Sequence, residues 1–135
     1  MLENPKINIK IKLAALWTSA LFFYIYGDYF QLYTPDKVES LISGNNNLDS
    51  PIKLLIASIV MAIPSIMVAG SILLKPTLNR ILNIVFGSIF TLMMVAIGIY
   101  STHDWHLFYV IYAFLESIIT AIIVWNAWKW PKSIK

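Results

Sequence analysis

The chain has 135 residues, of which 59% are apolar and 13% charged, with a formal net charge of +3 and no cysteine. Soluble domains run nearer about 45–50% apolar and ~25% charged, so most of these side chains must meet lipid. The lack of cysteine excludes structural disulfides, thiolate metal sites and a thiol relay.

Four apolar segments separate along the chain: Leu13–Tyr33, Ile52–Leu74, Ile81–Tyr100 and Leu107–Trp128. Each is long enough to cross ~30 Å of hydrocarbon as a helix. Helices also close their own backbone hydrogen bonds, which lipid requires. The expectation is an all-α integral membrane protein, residues 1–135 forming a single four-helix up-and-down bundle. The basic lead of Lys6, Lys10 and Lys12 fits a signal peptide. The segment after it is too long for one and ends in Gln31-Leu32-Tyr33 rather than in small residues, so it reads as a retained anchor.

The link after the first span begins Thr34-Pro35-Asp36, which reads as a cap with Pro at the first helical position. A short outer helix over Pro35–Ile42 is expected, ended by Gly44. The stretches Lys75–Arg80 and Ser101–His106 read as short turns that set neighbouring spans antiparallel. In the second span Pro64 removes a donor and frees the carbonyl of Val60. Ser58, Ala62, Ser65 and Ala69 there form a small-residue stripe suited to close packing. Gly87, Thr91 and Gly98 suggest close approach in the third.

Eight of the ten Lys and Arg fall in the N-terminal tail, the 75–80 turn and the C-terminal tail, Lys135 among them. The positive-inside bias therefore puts both termini in the cytoplasm, in what reads as a bacterial inner membrane. Trp17, Trp125, Trp128 and Trp130 would mark the inner interface and Trp105 the outer one. Basic residues so distributed report topology and contact with anionic lipid, and no patch argues for nucleic acid.

Ala15-Leu16-Trp17, Tyr24-Ile25-Tyr26-Gly27-Asp28-Tyr29-Phe30, Ala62-Ile63-Pro64-Ser65, Leu78-Asn79-Arg80-Ile81-Leu82-Asn83 and the ending Ile123 to Pro131 carry a resemblance over nearly the whole chain. Together they resemble a family of small, uncharacterised four-pass bacterial membrane proteins, loosely similar to the DoxX-like group. The resemblance implies a four-helix bundle and no particular activity. The thiol chemistry of some relatives does not transfer to a chain without cysteine.

Only Asp28, Lys53 and Glu116 are charged inside the spans. Lys53 can snorkel. Asp28 shares a helical face with Tyr24 and Gln31, and Glu116 shares one with Tyr109, Tyr112 and Thr120. By the helical rise, Asp28 lies ~8 Å below the end of its span and Glu116 ~13 Å below the start of its own. A carboxyl in lipid costs ~2.5–3.5 kcal/mol even on the lenient insertion scale. The two stripes are therefore expected to face each other, with the carboxyls in direct or one-water reach of each other or of Tyr24 and Tyr112. Asp28, Glu116, Tyr24, Tyr112, Gln31, Tyr109 and Thr120 are the candidate ligand-binding or proton-linked residues. Interhelical pinning is the plain competitor. His103-Asp104-Trp105-His106 is a weak H-x-x-H pattern, and neither a metal nor a cofactor is expected.

Three functions fit these residues: a pocket for a membrane lipid or small amphipathic molecule, a proton-coupled carrier acting as a homo-oligomer, or an intramembrane acid-base isomerase. The pocket fits best, since four helices barely enclose a path.

Overall fold

The computed structural model describes residues 1–133 and, over them, consists of helices and their connections. Lys135, counted above among the inner-side cations, lies outside the described residues. The elements are α1 (Ile9–Gln31), α2 (Lys37–Ser43), α3 (Pro51–Leu73), α4 (Pro76–Tyr100), a 3-10 turn at Asp104–His106, and α5 (Leu107–Trp128). α1, α3, α4 and α5 are each long and apolar enough to cross a membrane.

The helix starts follow local chemistry more than hydropathy. Asn8 accepts from the backbone N–H of Lys10 at 2.9 Å, so α1 begins four residues before the apolar segment does. Ser50 caps α3 by accepting from the N–H of Lys53, with Pro51 at the first position. Pro76 likewise opens α4, whose first turn therefore takes in Asn79 and Arg80. The expected turn at 75–80 is instead only Leu74 and Lys75. Proline with its fixed φ favours that position, and charge there does not break a helix.

α2 departs from expectation in its cap. Asp36 sits in the left-handed region at φ 64°, makes no capping bond, and the helix starts at Lys37. The Thr34 hydroxyl donates back to the carbonyl of Gln31 rather than capping α2. Gly44, at φ 74°, ends α2 as a left-handed cap, a conformation that costs glycine little.

α1 packs along both α3 and α5, and α4 packs along α5. α3 and α4, although joined by two residues, touch only sparsely. The core runs through the middle and the end that holds Leu13, Trp17, Phe90, Ile123 and Ala127, all at most 1% exposed. Trp17 meets the ring of Phe90 edge-on at 6.0 Å. It is thus a core residue and not part of an interfacial belt, whereas Trp105, Trp125 and Trp128 are exposed as belt residues are. The packed face of α3 is Pro64, Met67 and Ser71, and Ser58, Ser65 and Ala69 of the small-residue stripe point away from the bundle. Close approach is instead made at Gly87, where an added Cβ would stand 2.8 Å from Val124 Cγ2 on α5.

Candidate functional site

The two ends of the bundle treat their buried polar groups in opposite ways. At the end holding Trp17, α4 presents Asn79 and Asn83 one turn apart, both fully buried. Trp17 Nε1–H donates to Asn83 Oδ1 at 2.8 Å, and Asn83 Nδ2–H donates to Asn79 Oδ1 at 2.7 Å. Asn79 Nδ2–H in turn donates to the carbonyl of Ser71 at 2.6 Å, among the last carbonyls of α3. Arg80 performs the same service for α5, donating to the carbonyls of Ala127 and Trp128 at 3.1 and 3.2 Å. Carbonyls at helix ends have no intrahelical donor, so two consecutive side chains of α4 cap two other helices. Arg80, expected from its charge to report topology and contact anionic lipid, thus caps a helix, and the asparagines carry no such expectation. Their signal was the i, i+4 pair of amides directly after Pro76.

At the other end the pattern reverses. A pocket of about 250 Å³ opens between all four long helices. α1 supplies Tyr24 and Asp28, and α5 supplies Tyr109 and Glu116. α3 contributes Ala57, Val60 and Met61, while Met93, Met94 and Ile97 come from α4. Glu116 is 4% exposed, yet its carboxyl forms neither an ion pair nor a hydrogen bond with another described residue, and only its backbone carbonyl is engaged, by Thr120. The Tyr24 hydroxyl is fully buried and has no hydrogen-bond partner. A buried hydroxyl without a partner is uncommon in native interiors and asks for an explanation, while the Glu116 carboxyl opens onto the pocket.

Asp28 lies only three residues from the end of α1, ~4.5 Å by the helical rise, because that helix stops at Gln31. It is exposed, so it stands at the mouth while Glu116 stands deep. The two carboxyls share one pocket without a direct bond. Gly27 packs against α5 here, where an added Cβ would stand in ordinary contact with Tyr109 at 3.4 Å and Tyr112 at 3.5 Å.

The remaining candidates lie elsewhere. Tyr112 packs against α1 beside the pocket, edge-on to Phe23 at 5.3 Å, and does not line the carboxyl pocket. Thr120 is fully buried and accepts from the Thr91 hydroxyl at 2.7 Å, which pins α5 to α4. Gln31 belongs to a separate polar vestibule of about 700 Å³ beneath α2 and the 3-10 turn, with Lys37, His103 and His106. His103 Nδ1 accepts from the N–H of Trp105, so it shapes that turn. Tyr109 borders both the vestibule and the carboxyl pocket.

The four long apolar helices define a multi-pass helical membrane protein. Residues 4–134 match the model of a family described as of unknown function, DUF6326, and the chain belongs to that family. No curated protein and no solved structure matches it.

Proposed function

We propose that this protein binds a small amphipathic molecule in the pocket between Tyr24, Asp28, Tyr109 and Glu116. The observation that carries the reading is the contrast between the two ends. A sequence that satisfies Trp17, Asn79, Asn83 and Arg80 at one end leaves at the other a buried hydroxyl without a partner and a carboxyl that opens, unpaired, onto the pocket. Uncompensated burial of a polar group costs ~1–3 kcal/mol, so a ligand that offsets the loss gives the arrangement a purpose. Apolar lining with a few convergent polar groups is also the usual make-up of a ligand pocket.

In this reading the chain is an up-and-down bundle in a bacterial inner membrane, a relative of the DoxX-like group, with both termini cytoplasmic and the pocket in the outer half. The eight Lys and Arg near the two termini and about the junction of α3 with α4 support that orientation. A carrier is less favoured, because Leu13, Trp17, Phe90 and Ile123 fill the interior beyond the pocket. The test is native mass spectrometry of protein extracted gently from its membrane. A small-molecule adduct is expected on the wild type and should be lost in Ala57→Trp, which fills the pocket. An adduct that survives Ala57→Trp, or none at all on the wild type, would defeat the proposal.

A further inference from the structure

Granting that the pocket binds a ligand, we infer that the ligand is a small organic cation, a protonated amine carrying a short apolar tail. The first reason is the hydrogen-bonding inventory of the walls. Asp28 and Glu116 are acceptors when ionised, and neither has a cationic partner among the described residues, where the ion pair found is Lys53–Asp49. Val60 also lines the pocket, and Pro64 deprives its carbonyl of the usual i+4 donor. No Lys, Arg, His, Asn or Gln lines this space. An ammonium brings three N–H donors and no acceptor, the complement of such walls.

The orphaned Tyr24 hydroxyl supplies the second, independent reason. Tyr24 lines the same space, and its fully buried hydroxyl can both accept from an N–H and donate to an oxygen. The faces of Tyr24 and Tyr109 and the thioethers of Met61, Met93 and Met94 complete a soft lining that tolerates a cation and an alkyl chain together. An anion would face two carboxyls with only tyrosine hydroxyls to donate to it, and a neutral alkane would leave the carboxyls and the Tyr24 hydroxyl unsatisfied. A volume of about 250 Å³ falls just under the range of drug-sized pockets, roughly 300–1,000 Å³, and so selects a short molecule. Charge-assisted hydrogen bonds to the deep carboxyl then supply most of the selectivity.

The experiment uses the full chain in phosphatidylcholine nanodiscs, whose zwitterionic surface does not concentrate cations. Thermal melting is followed with hexylammonium chloride, 1-heptanol, sodium hexanoate and sodium chloride as the added probes. Hexylammonium should raise the melting temperature saturably, the other three should not, and Glu116→Gln should weaken the hexylammonium effect by about tenfold or more. Asp28→Asn alters an exposed residue and so keeps the fold, and it should weaken binding several-fold even if the Glu116 variant proves unstable. Equal stabilisation by heptanol, with both variants unaffected, would overturn the cation and leave the pocket standing. Stabilisation by sodium chloride equal to that by hexylammonium would overturn it in favour of an inorganic ion. No saturable response to any probe would overturn it as well, and the Ala57→Trp adduct experiment then decides separately whether the pocket holds a ligand of another kind.

Discussion

Asn83→Ala isolates the polar lock from the pocket. The substitution orphans three fully buried groups, the indole N–H of Trp17, the side-chain carbonyl of Asn79 and the hydroxyl of Ser71. Interhelical hydrogen bonds in membranes average about 0.6 kcal/mol and reach ~1.7, and an orphaned buried group costs ~1–3 kcal/mol. Three such groups, the Ser71 bond being the longest and weakest, give an expected loss of about 2–4 kcal/mol. Asn126→Ala is the control, since its amide only donates to the carbonyl of Ile122 within its own helix, and it should cost under ~0.5 kcal/mol. Reversible SDS unfolding in mixed micelles, read by near-ultraviolet circular dichroism, resolves that difference. Combining Trp17→Phe with Asn83→Ala should cost about 1 kcal/mol less than the two separate losses added together. If Asn83→Ala is no worse than Asn126→Ala, or the double variant is strictly additive, the lock does not hold the bundle. The same assay bears on the carboxyls: Glu116→Gln breaks no hydrogen bond in the structure and should cost under ~1 kcal/mol, whereas a pinning role demands a loss comparable with that of Asn83→Ala.

Two further outcomes follow from packing and charge. Gly87→Ala pushes a methyl to 2.8 Å from Val124 and should destabilise by about 1–3 kcal/mol, while Gly98→Ala, whose Cβ would stand 3.6 Å from Ala113, should be nearly neutral; equal effects in a thermal melt would contradict the α4–α5 contact. Cysteine placed at Asn46 should react with an impermeant maleimide added to intact cells and cysteine at Ser133 should not, so labelling at 133 would reverse the orientation.

The spans were legible because lipid demands long apolar helices, and no soluble alternative competes with that pattern. The starts of α1 and α4 were not. Hydropathy stops at Lys12 and Arg80, but Asn8 and Pro76 set the helices going earlier. That misplacement hid Asn79, which gains a role only once α4 extends far enough to meet the end of α3, whereas Asn83 already lay within the expected span. Of the candidate residues, Tyr24, Asp28, Tyr109 and Glu116 converge on one space because helical periodicity fixes their shared faces. Tyr112 belongs to the same stripe but falls on its other edge, and one chain's periodicity does not say on which side the next helix packs. Of the apolar wall from α3 and α4 only Val60 carried a signal, through Pro64, since a methionine facing a pocket reads like one facing lipid.

The uneven attachment of α3 has a mechanical consequence. Its C-terminal end is fastened to α4 through Ser71, Asn79 and Asn83, while along its length it leans on α1 and scarcely meets α4. A rod clamped at one end and softened near its middle by Pro64, where a rung of the backbone ladder is missing, bends most at its free end. That free end carries Ala57, Val60 and Met61, one wall of the pocket. Swinging it outward widens the space beside Glu116 and breaks no bond of the lock. Amide exchange should therefore be faster before Pro64 than after it, with the hinge lying where the polar anchorage begins.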